Sequence, residues 1–569
     1  MKKIVQLLLL GLYLLTTVYA CSTDDDTPAP ELEVSTESIT LPADGAEKGM
    51  HIKTNVNWTI TSSESWCTVS PSSGTGTGTI KLMIAATPNT TDDNRSALLT
   101  VTAGNLTKQI NVMQSFSEKL IITQKEYAIS AAGGTVTVDL QATGEVNVAT
   151  GTGWIILRNA TKGLTSNSVT FDITANGNIF NREGTITFTL GELSETVIVV
   201  QEATPLTIAA DKTGMDDNAS ALAAKMGIGW NLGNTLEATD GTVAGETSWG
   251  NPKASQTLID AVKAAGFNTI RIPCAWNAYI EDQNTFKIKD SWLERVKEVV
   301  DYCVNAGMYA IINIHWDGGW LEQNPTYDKQ EEVNRKQKAL WEQIAVYFRD
   351  YGEHLLFAGT NEVHANYNTP SAENIEVQES YNQTFVDAVR STGGRNTWRN
   401  IIVQSYNTNI QYAIDYMTMP VDPTPNRIMA EVHYYDPYEF TLQETNTVFL
   451  WGKDFKGMAG TATWGLEDWT DTQFNKMKTN FGDKGIPVIL GEYGVILRAS
   501  LSATDYANHI KARNYYLNYI TKSAIENGII PVYWDNGPTG DKTMGLFNRS
   551  TGEQVHSDAI TAIINAGDR

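Results

Sequence analysis

Two glutamates, Glu362 and Glu492, each close a short apolar run, LLFAGTNE and IPVILGEYG, and stand 130 residues apart (492 − 362). Each run has the length and composition of a buried strand, which puts each carboxyl at a strand's C-terminal end. Carboxyls carried from two parallel strands to one cleft suit cleavage of a glycosidic bond, one protonating the departing oxygen and the other attacking carbon. An attacking carboxylate must stay ionised, and Arg271, in TIRIPC, is placed to supply the compensating charge. Asn361, beside Glu362, offers an amide to a sugar hydroxyl. His315, His433 and Tyr435 close two further apolar runs and are candidates to orient the carboxyls and touch substrate hydroxyls. Trp534 offers a flat ring on which a sugar stacks. Asn231 and Trp316, also at run ends, complete the candidate set. The chain has no HExxH or comparable cluster, so no metal or cofactor is expected.

Positioning these groups needs a scaffold that brings many strand ends together. From about residue 205, short apolar runs alternate with amphipathic segments. The runs are GIGWNLG (227–233), TIRIPC (269–274), YAIINIHW (309–316), LLFAGTNE (355–362), NIIVQSY (400–406), RIMAEVHYY (427–435), IPVILGEYG (486–494) and IIPVYWDNG (529–537). Segments such as SWLERVKEVVDYCVNAG and TDYANHIKARNYYLNYITKSAIENG lie between them and have the apolar stripe of a helix that covers a sheet. Eight such units predict a (β/α)8 TIM barrel over 205–569, with its site at the C-terminal ends of the strands. Trp230, Trp276 and Trp320 also lie near run ends, where each is either a sugar-binding ring or core, whereas Trp341 and Trp398 read as structural.

The N-terminal third has a different texture. NRSALLTVTAGNLTKQINVMQ, residues 94–114, aligns without gaps on NREGTITFTLGELSETVIVVQ, residues 181–201, an offset of 87 (181 − 94). Both read as two alternating strands about a glycine turn, and each lies downstream of a tryptophan, Trp66 or Trp154. Two small all-β immunoglobulin-like sandwiches follow, over 31–117 and 118–204. Their tryptophans fit core packing as well as sugar platforms, and a spacer role is favoured.

Residues 1–20, MKKIVQLLLLGLYLLTTVYA, have the charged start and short apolar run of a secretion signal. Residues 21–30 form a tether with nothing to bury. Cys67, Cys274 and Cys303 read as small core residues, with a Cys274–Cys303 bridge as the alternative. A formal net charge of −23 opposes nucleic-acid binding and leaves a neutral glycan as a compatible partner.

Several of these segments resemble known families. GWNLGNTLEA, NTIRIP, IINIHWDGGW, NEVHANY, EVHYYDPYEF, LGEYG and VYWDNG, in this order, resemble glycoside hydrolase family 5, and HYYDPYEF with WNLGNTLEA is most similar to its subfamily 4. The resemblance implies a retaining mechanism, with Glu362 as acid and base, Glu492 as nucleophile, and Arg271, His315, Asn361, His433, Tyr435 and Trp534 around them. It implies internal cleavage of β-1,4-glucans such as xyloglucan, mixed-linkage glucan and soluble cellulose, with β-mannanase activity or a non-catalytic glycan-binding lipoprotein as the alternatives. Two positions depart from the family pattern: Val363 replaces a proline and Trp316 a second histidine. The repeats resemble the BACON domain. Val18-Tyr19-Ala20-Cys21 resembles a bacterial lipobox, and Ser22-Thr23-Asp24-Asp25-Asp26 resembles the export signal of Bacteroidetes surface lipoproteins. Those likenesses imply attachment to the cell surface by a lipid on Cys21, and the chain is expected to be a monomer.

Overall fold

The computed structural model describes residues 28–76, 78–158, 168–239, 244–445 and 447–567. The expected secretion signal and Cys21 lie outside these residues. Among the described residues, no helix is long and apolar enough to cross a membrane.

Eight parallel strands close into a barrel: β1 (Gly229–Asn231), β2 (Thr269–Ile272), β3 (Tyr309–Asn313), β4 (Leu355–Ala358), β5 (Ile401–Gln404), β6 (Ile428–Tyr434), β7 (Val488–Tyr493) and β8 (Ile529–Tyr533). The last pairs back on the first, so no edge is left open. Each of the eight predicted runs contains one of these strands. Successive residues of a strand face opposite sides, and here both sides are apolar because helices cover the outside. Ala310, Ile312, Phe357, Val403, Val432 and Leu490 pack outwards in one cluster with the helices. Helix Asp290–Asn305 contributes Trp292, Leu293, Val296, Val299, Val300 and Cys303 to it, the three-and-four spacing read from the sequence.

The inward set fills the lower barrel. Ile311, Leu356, Ala358, Ile402, Met429, Ile489 and Val532 form a second cluster, closed by Ala219, Leu222 and Met226 of helix Ala219–Met226. Following the same inward parity towards the C-terminal ends changes the chemistry from hydrocarbon to polar. The next inward positions are Asn231, Arg271, Asn313, His315, Thr360, Glu362, Gln404, Glu431, His433 and Trp534. A closed apolar base therefore carries a polar upper layer.

Glu492 breaks this parity, because alternation from Ile489 would turn Gly491 inwards and Glu492 out. A bulge corrects it: Val432 pairs with Leu490, but the next residue, His433, pairs with Glu492. The residue skipped is Gly491, where an added Cβ would stand 2.1 Å from Glu431 Oε1. Glycine thus serves both the turn of the backbone and the close approach of a buried carboxylate.

The two N-terminal repeats are sandwiches, as expected. In the first, a four-stranded sheet faces a five-stranded one, and the second is built from four-, three- and two-stranded sheets. The offset of 87 extends to their internal bonds. Gln114 is buried, accepts from Arg95 Nε at 2.8 Å and donates to the Thr87 carbonyl at 2.9 Å; Gln201, Arg182 and Thr174 repeat both contacts at the same distances. Asn89 and Asn176 likewise each donate to two carbonyls that stand at matching positions. Trp154 is buried, and the Arg95 guanidinium lies 4.3 Å over the Trp66 ring, so both belong with the core reading rather than that of open sugar platforms. Cys67, Cys274 and Cys303 are all buried and free, which excludes the Cys274–Cys303 bridge.

Candidate active site

Arg271 organises the upper barrel from below. It is wholly buried, and its Nη1 donates to Glu492 Oε1 at 2.9 Å and to Asn231 Oδ1 at 3.1 Å, while Nη2 donates to Asn361 Oδ1 at 2.7 Å. Its Nε lies 3.0 Å from Glu431 Oε1, an ion pair by distance in which the N–H is not aligned with the oxygen and makes no hydrogen bond. One guanidinium therefore serves strands β1, β6 and β7 and the segment that follows β4, using the fork geometry that lysine lacks. Tyr435 adds a hydroxyl donor, 3.1 Å from Glu492 Oε2.

Glu362 has a different partner. Its Oε1 lies 2.7 Å from His433 Nδ1, and the other ring nitrogen, Nε2, lies 3.2 Å from Glu431 Oε1. His433 Nδ1 is also 3.7 Å from Glu492 Oε2, and an oxygen of each catalytic candidate and a nitrogen of His433 lie within 4.8 Å of one another. The spacing alone is one a cation tolerates. Each atom already faces a protein donor or acceptor, however, and the set is built to share protons.

These groups titrate together. Burial works against charge on His433, but Glu492, Glu362 and Glu431 outweigh it and push its pKa up to about 10. Burial also works against charge on Glu362, where the His433 hydrogen bond and charge prevail and hold the carboxyl below its ordinary range. At Glu492 burial prevails, helped by the Glu362 charge and opposed by His433 and Arg271, and its pKa is raised. The Glu362 side chain is 31% exposed and that of Glu492 8%, so Glu362 is the more accessible to an incoming group.

The structure brings all ten predicted barrel residues to one end, but not all into the cleft. Asn231 is fully buried, its amide donating to the Gly491 carbonyl at 2.8 Å, so it supports Arg271 and has no face for substrate. Asn361 is nearly buried and held at both ends, by Arg271 on Oδ1 and by Glu322 Oε2, 2.9 Å from Nδ2. His315 lies parallel to Trp534 with ring centroids 5.7 Å apart, and burial first, then Arg271 and His433, hold it neutral. Trp534 is half-buried, and an added Cβ on Gly233 would lie 2.9 Å from its ring. Trp316 is half-buried and pairs with Trp249 at 6.2 Å, giving an aromatic wall where the family pattern has a histidine. Trp230 and Trp276 are core, with indole N–H groups tied to Asp535 and the Asn313 carbonyl, so neither is a sugar-binding ring.

Val363 is accommodated in a small apolar cluster. It is buried with Leu321, Val333, Val377 and Tyr381, and the loop it starts is fixed by His364, whose Nδ1 donates to the Glu362 carbonyl at 2.6 Å. On the Glu362 side, a cleft of about 650 Å³ is lined by Glu362, Tyr367, Tyr435, Tyr438 and Trp469 among others. Trp469 is 43% exposed and sits edge to face with Trp464, 41% exposed.

Glu431, Glu322 and His364 were missed by sequence reasoning. Glu431 had left a signal, a charged residue two positions before His433 in an otherwise apolar run. Glu322 had left none, since it sits in a loop without periodicity. It is buried, and burial, followed by repulsion from Glu362, raises its pKa from 4.5 to about 7. A buried acid that keeps its proton longer than the unfolded chain does loses stability as pH rises between those two values, because the unfolded state is then the one that ionises freely. Glu322→Gln keeps an acceptor for Asn361 and removes that cost. It should be more stable than the native chain by up to about 3 kcal/mol near pH 8 and no more stable near pH 4, read as thermal midpoints at both pH values. An equal difference at both would contradict it.

A (β/α)8 barrel with two carboxyls this close at the C-terminal ends of β4 and β7, one of them in a cleft lined by the exposed Trp469, is the arrangement of a glycoside hydrolase. Residues 234–540 match the cellulase model of glycosyl hydrolase family 5, and residues 56–115 and 144–202 match the BACON model, described as a putative N-terminal binding domain. A xyloglucan-specific endo-β-1,4-glucanase of Bacteroides ovatus is 40% identical over 451 residues, covering 76% of this chain and 88% of that one. Endoglucanase A of Paenibacillus barcinonensis is 39% identical over 363 residues, 61% of this chain and 89% of that one. A solved Bacteroides ovatus xyloglucanase with a XXXG heptasaccharide superposes with TM-score 0.61 at 34% identity, covering 94% of this chain and 99% of that chain. A subfamily 4 broad-specificity endoglucanase from Bacteroides salanitronis gives 0.58 at 37%, covering 62% and 96%. The chain belongs to glycoside hydrolase family 5 and carries two N-terminal BACON domains.

Proposed function

We propose that the chain is a retaining endo-β-1,4-glucanase of plant cell-wall β-glucans, with Glu492 as nucleophile and Glu362 as acid and base. The single observation that carries this is the carboxyl spacing: an oxygen of each within 4.8 Å suits a retaining pair, with carboxyls roughly 5–5.5 Å apart, better than an inverting pair, roughly 6.5–9.5 Å apart. The partners divide the roles. Burial raises the Glu492 pKa, and Arg271, which cannot lose its proton, opposes that rise with a permanent counter-charge of the kind a nucleophilic carboxylate needs to stay ionised. Glu362 is paired instead with His433, a group that can give up its proton.

In the first step Glu492 attacks the anomeric carbon, the bond from that carbon to the glycosidic oxygen breaks, and Glu362 delivers a proton to the oxygen. In the second, water gives its proton to Glu362 and its oxygen to the anomeric carbon, and the ester bond to Glu492 breaks. Because Glu362 protonates the leaving chain, the cleft with Tyr367, Tyr438 and Trp469 takes that chain. The retained sugar rests over Trp534, with the Trp249–Trp316 pair beyond it. Aromatic surface on both sides suits a chain that runs through the cleft and is cut internally.

The kinship with xyloglucan-specific and broad-specificity enzymes supports xyloglucan, mixed-linkage glucan and soluble cellulose as substrates. The signal-like start and Cys21 support a lipid-anchored enzyme on the cell surface. Intact cells carrying the chain should release oligosaccharides from xyloglucan, barley-type glucan and carboxymethyl cellulose but not from pure mannan, and Cys21→Ser should carry that activity into the soluble fraction. Release from mannan alone would overturn the substrate assignment. Native activity already in the soluble fraction would overturn the anchor.

A further inference from the structure

Glu431 is a third carboxylate in the active-site layer, and it cannot reach substrate. It is wholly buried in β6, and its three polar contacts are all to side chains of the upper barrel: Arg271 Nε at 3.0 Å, His433 Nε2 at 3.2 Å and Gln404 Nε2 at 2.6 Å. Gln404 is itself fixed, its Oε1 accepting from the backbone N–H and hydroxyl of Thr360 at 3.0 and 2.9 Å. Burying a carboxylate is costly unless its partners are in place, and the chain keeps Gly491 where any side chain would strike it. A role for it follows from its neighbours.

His433 has a carboxylate oxygen against each ring nitrogen. A neutral imidazole donates from only one nitrogen, so a proton must lie in the contact with Glu362 as well as in that with Glu431. Glu431 is shielded from solvent and aligned by Gln404, whereas Glu362 is open to the cleft. The proton facing Glu431 is therefore the fixed one, and the proton facing Glu362 is the mobile one. The other groups around His433 are Glu492 from β7, Arg271 from β2, His315 after β3 and its own neighbour Tyr435. Of these only Glu492 adds negative charge close by, at 3.7 Å.

We propose that Glu431 is a positioning residue that holds a proton on Nε2 of His433 and so commits Nδ1 to exchanging the catalytic proton with Glu362. Before cleavage the pair holds one exchangeable proton, on Nδ1 or on the Glu362 oxygen. When that proton passes to the glycosidic oxygen, a neutral His433 is left with its Nδ1 lone pair against the Glu362 carboxylate. Repulsion between them makes Glu362 a stronger base for the water of the second step, and the water's proton restores the pair.

This rests on the retaining glucanase reading, and the test separates the two. In Glu431→Gln, kcat on carboxymethyl cellulose should fall about a hundredfold with KM little changed, since Glu431 does not touch substrate and the loss falls on proton delivery. The alkaline limb of kcat/KM should move to lower pH by about one unit or more, because His433 loses a counter-charge. On 2,4-dinitrophenyl β-cellobioside, whose leaving group departs without a proton, kcat/KM should fall less than about tenfold. Equal losses on both substrates with an unmoved alkaline limb overturn the proposal, and a native enzyme inert on both substrates sinks the glucanase reading instead. Should the variant not fold, 15N-histidine labelling of the native chain decides: His433 should be protonated at Nε2 near pH 8, and a ring bare at Nε2 overturns it.

Discussion

Glu492→Gln should lower turnover of soluble β-1,4-glucan by about ten-thousand-fold or more, a loss of roughly 5 kcal/mol of transition-state stabilisation. The amide is isosteric but cannot form the glycosyl ester, so the first step has no nucleophile. Arg271 and Tyr435 both donate, at 2.9 and 3.1 Å, and an amide oxygen can still accept from one of them. Folding and glycan affinity should therefore survive within a few-fold, measured by calorimetric titration with cello-oligosaccharides. Turnover within about tenfold of native would remove Glu492 from the mechanism.

Glu362→Gln should act on the same reaction through its leaving group. Loss of the acid should cost about a hundred- to ten-thousand-fold on glucan. On 2,4-dinitrophenyl β-cellobioside the first step needs no acid, so a burst of dinitrophenolate should precede a slow steady state limited by water attack without a base. Azide, which attacks without giving up a proton, should restore that steady state and yield a β-glycosyl azide. The β configuration is the informative part, because azide can arrive from that face only if the sugar is held through its α face by Glu492. A uniform loss on both substrates, without a burst or rescue, would contradict the assignment.

Much of this was legible in the sequence because the barrel repeats one pattern eight times. A run buried on both faces stays apolar until it leaves the core, and the first polar residues after it mark the C-terminal end of the strand. That is why Glu362, His315 and Trp534 could be placed from order alone. Glu492 was placed by the same rule but for an incomplete reason. Simple alternation from Ile489 turns it outwards, and it faces the cleft only because Gly491 is passed over in the pairing with β6. Glycine in LGEYG is consistent with such a bulge, yet nothing in one strand's sequence states which residue of its neighbour it will face.

The unpredicted parts have different physical causes. Glu431 was readable in principle, since the inward parity that gives His433 gives Glu431 two residues earlier. Glu322 and the rings of Trp249, Trp464 and Trp469 were not, because they lie in loops or at element ends whose course is set by tertiary contacts. The same limit explains why the sequence left Trp230 and Trp276 open between sugar platform and core. Both follow the run-end pattern, but Phe547, 6.1 Å from the Trp230 ring, and the backbone of Asn313 draw them into the core.

The mechanism requires that Glu492 become covalently bonded to the sugar. A 2-deoxy-2-fluoro cellobioside with a dinitrophenolate leaving group slows both steps but lets the first proceed, so it should inactivate the enzyme with release of one dinitrophenolate per chain. Peptide mapping by mass spectrometry should then find the fluorocellobiosyl group on Glu492. The group on Glu362, or turnover of the native substrate to the inverted anomer with no adduct formed, would contradict the account.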